Sequence, residues 1–249
     1  MRNTIIFGGK DLGDFNCYCT GSGVYTSPAL IRDTYEVPGR HGVLHSRSVR
    51  LSEVTIEDPC FIAPSFVDNF RALKNYLLSL SQQGDLVTLR DSYQNDRWRW
   101  AIYADAIEPE ISDWRRAGSF VLRFTCQPQQ YLDSGAVPRV FTSAGDLYNP
   151  TIWPFEPYIA AVVTANNAEF DIGDLHVEID EKPDGGLVEI RCEDMIAFGE
   201  DSGGAMQDWT SHISFTENGA INGKMDTWGG AVTMTNISSL SITPRWWEV

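Results

Sequence analysis

The chain has 249 residues and a mass of 27.9 kDa, with 43% hydrophobic and 21% charged residues, a globular mix that excludes a disordered chain. No apolar run approaches the ~20 residues that a membrane-spanning helix needs. The net charge of −15 argues against nucleic-acid binding through phosphates. That charge is unevenly spread: residues 1–139 hold 15 Lys/Arg against 16 Asp/Glu, a net of −1, whereas residues 140–249 hold 4 against 18, a net of −14. Two units with different surfaces are expected. The N-terminal apolar stretch Ile5-Ile6-Phe7 is too short for a signal peptide, which predicts a soluble chain made in a cytoplasm. Five scattered cysteines (Cys17, Cys19, Cys60, Cys126 and Cys192) then read as free thiols. Cys17 and Cys19 share one face if they lie on a strand, and no second Cys/His pair completes a metal set.

In chain order, the spacing of Phe66, Phe70, Leu73, Leu77 and Leu80 predicts a helix over 66–83, with Ser65 as N-cap, Asp68 as its capping-box partner and Gly84 as the stop. Arg97–Tyr103 alternates charged and aromatic residues, and Ser119–Cys126 alternates Phe120, Leu122, Phe124 and Cys126 with wetter positions. Both read as strands. The alternation stops between Gln130 and Pro157, where Pro138, Pro150, Pro154 and Pro157 gather. Beyond it, short strands are expected at 158–165, 170–179, 187–192, 212–216, 231–236 and 238–243. Turns such as Pro183-Asp184-Gly185-Gly186 and Glu217-Asn218-Gly219 separate them. The reading is a mainly β chain: an α+β domain with one long helix (1–139), an extended connector (140–157) and a β-sandwich or jelly roll (158–249).

Few motifs suggest chemistry. Asp201-Ser202-Gly203-Gly204 looks like the nucleophile loop of a serine protease, but Glu200 stands where the oxyanion glycine belongs, and none of His41, His45, His176 and His212 has the context of the base. His41 and His45 have metal spacing only on a helix, and Pro38-Gly39 places them in a turn. Gly8-Gly9-Lys10 and Gly21-Ser22-Gly23 lack phosphate-loop spacing. Asp105, Glu108 and Glu110 could be pictured as a glycosidase pair, and the run Asp171, Asp174, Glu178, Asp180, Glu181, Asp184 as a calcium site, but neither has the required pattern. No catalytic residue, cofactor or metal site is assigned. Trp209 and Trp228 read as buried structural residues or as contacts to a sugar ring or a protein partner; both readings stay open.

The order of several stretches resembles the distal tail proteins of long-tailed phages that infect Gram-positive bacteria. They are Val37-Pro38-Gly39-Arg40-His41-Gly42 after Gly21-Ser22-Gly23, the helix near 70–80, and Leu89-Arg90-Asp91-Ser92-Tyr93. Phe120-Val121-Leu122-Arg123-Phe124-Thr125-Cys126-Gln127-Pro128 leading to Tyr131, Asn149-Pro150-Thr151, and Pro244-Arg245-Trp246-Trp247 complete the set. The resemblance implies a structural virion protein at the phage tail tip, or baseplate, assembled in the host cytoplasm. It implies a homo-hexameric ring, with N-terminal domains around a channel for DNA and a galectin-like C-terminal β-sandwich projecting outward. The implied partners are the tail tube protein, the tail-associated tip protein and receptor-binding or other baseplate proteins. Sequence-specific nucleic acid and membrane are not among them. The near-neutral half would then pack against its copies while the acidic half stays solvated. The alternative is a carbohydrate-binding β-sandwich that contacts the host cell wall through Trp209 or Trp228.

Overall fold

The computed structural model describes residues 3–20, 25–82, 84–103, 105–112, 116–217 and 225–249. It is mainly β with one α-helix among the described residues, as the sequence pattern implies. The chain divides into two compact units, 1–130 and 131–248.

The first unit contains β1 (Ile5–Phe7), β2 (Lys10–Asp11), β3 (Cys17–Cys19), β4 (Leu30–Glu36), β5 (Val43–Leu51) and β6 (Val54–Ile62). After these come α1 (Phe66–Ser81), β7 (Val87–Asp91), β8 (Arg97–Ile102), β9 (Glu110–Ile111) and β10 (Gly118–Cys126). Seven of the strands form an antiparallel sheet in the order β2-β1-β7-β8-β10-β6-β3. Its longest pairing is β6–β10, in register from Ile62↔Gly118 to Val54↔Cys126. Both strands alternate strictly, so Val54, Ile56, Cys60 and Ile62 share the inner face with Phe120, Leu122, Phe124 and Cys126.

Helix α1 packs its stripe onto that face. Phe66, Leu73 and Leu77 are buried, and Phe70 and Leu80 pack beside them. The Tyr76 hydroxyl donates to the Phe7 carbonyl at 2.6 Å and ties the helix to β1. Gly118 allows the close approach at the helix start, because a Cβ there would lie 2.6 Å from the Phe66 ring. Ser65 does not cap through its side chain. It adopts a left-handed conformation (φ 61°), and its carbonyl accepts from Asn69 N at 3.2 Å. Asp68 instead faces Arg71 at 4.0 Å, with both side chains exposed. Gly84 (φ +74°) stops the helix as expected, with its N–H on the Ser81 carbonyl. Gln83 lies outside the described residues.

In the second unit, β11 (Gln130–Leu132), β12 (Arg139–Phe141), β13 (Gly145–Leu147), β14 (Tyr158–Val163), β15 (Ala168–Ile172) and β16 (Leu175–Ile179) come first. They are followed by β17 (Leu187–Arg191), β18 (Ile196–Glu200), β19 (Met206–Asp208), β20 (Ile213–Glu217), β21 (Gly230–Thr235), β22 (Ile237–Thr243) and β23 (Trp247–Glu248). Strands β11 and β23 pair with each other, and the others make two antiparallel sheets, β12-β22-β14-β17-β18-β19 and β13-β21-β15-β16-β20. The inward residues of both sheets, among them Ile159, Ala161, Phe170, Val177, Ile190 and Leu240, form one core.

Two sequence expectations change here. Residues 140–157 include strand residues of this unit: β12 pairs with β22 and β13 with β21, so the Pro/Gly-rich run marks turns between very short strands. The stretch 170–179 is a hairpin, because Gly173 (φ +61°) turns the chain where a Cβ would lie 2.1 Å from the Gly229 carbonyl oxygen. The 183–186 turn forms, with Gly186 N donating to Pro183 O, whereas residues 218–219 lie outside the described residues.

Leu77 has no exposed surface, and Leu78 beside it is 45% exposed. Leu77→Ala is expected to lower stability by roughly 2–5 kcal/mol in urea unfolding, and Leu78→Ala by less than about 1 kcal/mol. Equal losses at the two positions would contradict the packing of α1 on the sheet.

Candidate functional site

Within the first unit, the hairpin of β4 and β5 stands apart from the main sheet. It forms a separate two-stranded sheet, paired from Leu30↔Leu51 to Glu36↔Val43 with an irregularity between Arg32 and Thr34. All seven residues of β4 are exposed. The root is closed by the Ser52 N–H on the Ala29 carbonyl (2.9 Å) and the Ala29 N–H on Ser52 Oγ (3.0 Å). The tip is the Val37–Gly42 segment. There Pro38 and Gly39 (φ +81°) occupy the centre of a turn closed by Arg40 N donating to Val37 O at 3.1 Å, the type II geometry that requires a residue such as glycine. His41 lies in this tip and His45 on β5, both exposed, with no helix to set them as a metal pair.

An isolated two-stranded ribbon is at best marginally stable in water. This one also carries exposed Leu30 (60%) and Tyr35 (58%), with Ile31, Val37, Val43 and Leu44. Such a set of apolar side chains on one ribbon marks a surface that gains stability by covering. The sequence signal was only partial. The tip motif is conspicuous, but β4 has no period-two burial pattern of the kind by which strands are recognised.

Beneath the inner face lies a polar set that the sequence reading missed. Asp58 is 1% exposed and Arg99 4% exposed. With Asp91, Gln94 and Gln130 they line a cavity of about 30 Å³ whose walls include Ile5, Ile56 and Leu89. In its hydrogen-bonded orientation the Gln130 amide oxygen accepts from Arg99 Nη2 (2.5 Å) and Nε (3.0 Å), and Arg99 Nη1 donates to Pro128 O (3.2 Å). Among the described residues Asp58 Oδ1 and Asp91 Oδ2 have no hydrogen-bond partner. Burial, and then the charge of Asp91, push the Asp58 carboxyl up to about 7; burial also raises Asp91. The signal was present in the alternation, because Asp58 and Arg99 both fall on inward positions. On β8, Trp98 and Trp100 point to the opposite side and meet edge to face at 5.1 Å.

The remaining sequence candidates do not converge on a catalytic arrangement. Asp201 folds its own loop, accepting from Gly203 N (2.8 Å), Ala205 N (2.9 Å) and Gln207 Nε2 (2.9 Å), with Ser202 exposed beside it. His176 and His212 are bound instead to Asp171 (2.7 Å) and Asp180 (3.0 Å). Asp105, Glu108 and Glu110 line one open groove, where Arg123 bridges Asp105 and Glu57. The acidic run is distributed over local contacts: Asp174, for example, accepts from Thr227 Oγ1 and Trp228 N. Among the described residues no three His, Cys, Asp or Glu side chains gather in a way that could hold a metal ion.

Trp209 is half-buried. It lies over Gly199, stacks on His212 at 4.4 Å and donates from Nε1 to the Glu181 carbonyl at 3.3 Å. Trp228 is 55% exposed, on the segment that leads into β21. Of the C-terminal pair, Trp246 is in the core and Trp247 stacks on Trp153 at 5.0 Å.

Comparison with known proteins gives this geometry a setting. Residues 19–126, which include the hairpin, α1 and the β6–β10 pair, match the Sipho_tail family model, described as a phage tail protein RIFT-related domain. The whole chain shares its fold with the SPP1 Dit (gp 19.1) protein, described as a paradigm of the hub adsorption apparatus in phages infecting Gram-positive bacteria. The TM-score is 0.69 at 13% identity, covering 100% of both chains. It is also similar to a chain of the phage P2 baseplate in its activated conformation, with a TM-score of 0.54 at 9% identity, covering 97% of this chain and 98% of that one. No curated protein sequence matches the chain. The chain resembles siphophage distal tail proteins, as its motifs imply.

The buried carboxyls give the first unit a pH dependence. Asp58 holds its proton in the folded state far above the ordinary carboxylate range, so its contribution is complete below about pH 4 and is lost as pH rises through about 7. Asp91 is shifted in the same direction. Stability in urea unfolding is expected to fall by roughly 3 kcal/mol between about pH 5 and pH 8, and Asp58→Asn is expected to remove most of that fall. Identical pH profiles for the two proteins would show that Asp58 is ionised in the fold.

Proposed function

We propose that this chain is the structural hub of a siphophage tail tip: a non-enzymatic distal tail protein that assembles as a hexameric ring. The observation that carries the reading is the β4–β5 hairpin, a ribbon with exposed apolar side chains and no covering among the described residues, inside the region that matches the phage tail domain. A second copy of the chain is the occupant that fits best. A closed ring repeats one head-to-tail contact, so the arm of each copy finds the same surface on the next and no arm is left over. The charge division supports the same arrangement. The half that contributes the arm is almost neutral and can pack against its copies with little repulsion, while the acidic half remains solvated.

In this reading the ring surrounds the path of the DNA and joins the tail tube to the tip protein, and the C-terminal β-sandwich offers an outer surface to receptor-binding or other baseplate proteins. The likeness to the SPP1 hub and the P2 baseplate chain over the full length supports placing the protein in the virion tail. The half-exposed Trp228 belongs to that outer unit.

Light scattering after size exclusion tests the assembly. The wild-type chain is expected near 167 kDa, six copies of 27.9 kDa. The double variant Leu30→Asp, Tyr35→Asp is expected to run as a folded monomer, because both side chains are exposed within the chain and their loss costs the fold little. A variant that keeps the mass of the assembly, or a wild-type chain that stays at 27.9 kDa at every concentration, contradicts the reading.

A further inference from the structure

Cys17, Cys19 and Cys60 lie together at the base of the segment that carries the hairpin. Cys17 and Cys19 are on the inner face of β3, an edge strand, and Cys60 is on the inner face of the neighbouring β6. The register sets Cys19 directly opposite Cys60, and Cys17 opposite Ile62. The Cys19 N–H turns away from β6 and donates to the Asn3 carbonyl at 3.0 Å, while the next N–H, of Thr20, donates to Pro59 at 2.8 Å. Cys19 and Cys60 are therefore a non-hydrogen-bonded pair, the closer of the two kinds in an antiparallel ladder, with Cα atoms about 4.5 Å apart. That separation lies within the range a disulfide spans, about 4.4–6.8 Å. The Cys60 thiol donates to the Asp58 carbonyl at 3.3 Å, and Cys17 and Cys60 are diagonal neighbours with Cα atoms about 7–8 Å apart, beyond that range.

We propose that Cys19 and Cys60 are a redox modification site, closed to a cross-strand disulfide by a small-molecule disulfide oxidant when the protein meets an oxidising environment. The Cys19 thiolate attacks one sulfur of the oxidant and releases one small thiol, leaving a mixed disulfide on Cys19. The Cys60 thiolate then attacks the Cys19 sulfur and releases the second small thiol. Two protons and two electrons leave the protein, and the oxidant is reduced to two thiols. Cys19 is assigned as the entry point because β3 ends the strand order of the sheet, whereas Cys60 lies on β6 between two strands. The reaction is slow, since burial and then the Asp91 charge push the Cys19 thiol up to about 12 and little thiolate is present at neutral pH. The product closes residues 20–59 into a loop that contains the whole hairpin, so the bond would fix the arm at its root. This inference rests on the strand register of the first unit and is independent of the ring.

The test uses the full-length chain without denaturant, incubated with oxidised glutathione at about pH 8, then alkylated, digested and mapped by mass spectrometry. The expected result is a Cys19–Cys60 linked peptide and a loss of about 2 Da from the intact mass. Melting is expected to rise by roughly 10 °C, and dithiothreitol should reverse both changes. Cys17→Ser should keep the cross-link, and Cys19→Ser and Cys60→Ser should each abolish it. The wild-type peptide map stands whether or not the serine variants fold. A Cys17–Cys60 link, a glutathione adduct that persists on Cys19, or five unreacted thiols after prolonged exposure would each overturn the proposal.

Discussion

A two-stranded ribbon cannot pay for its own order, and the β4–β5 hairpin is such a ribbon. Every residue of β4 is exposed, and the register with β5 is interrupted midway. The ordered turn at its tip and the hydrogen bonds at its root show a defined element rather than a loose loop. Among the described residues none covers β4. The rest of the first unit is arranged to present it. The long β6–β10 pair and the helix packed across their inner face make a rigid base, and the hairpin rises from the segment between β3 and β6.

The second unit meets the opposite constraint. Its two sheets bury their inner faces on each other in one core and leave a strongly acidic exterior. Its carboxylates, histidines and threonines are spent on local contacts along the sheets, as in the set Asp171, His176, Glu178 and Thr233. That is the chemistry of a well-hydrated scaffold.

Much of this was legible in the sequence where one physical effect dominates. The stripe from Phe66 to Leu80 gave the helix, because a 3.6-residue period of large apolar groups fits only one element. The alternation of Phe120, Leu122, Phe124 and Cys126 gave β10 in the same way. Legibility failed where tertiary context decides. Ser65 has the composition of a cap but adopts a left-handed backbone and leaves its side chain out of the helix. Gly173 breaks an apparent strand because the close approach of Gly229 there excludes a Cβ. Asp58 and Arg99 carry charge-bearing side chains at positions whose period points inward, so periodicity and polarity disagree. Strand β4 shows no buried face within its own chain, and in the proposed ring the next copy would supply the covering surface.

Image reconstruction of the assembled tail tip tests this last point most directly. The expected result is a sixfold ring in which residues 30–51 of each copy lie against the next, with Leu30 and Tyr35 covered at the contact. A ring in which the hairpins stand free in solvent, or a tip without this chain in a closed ring, would contradict the account.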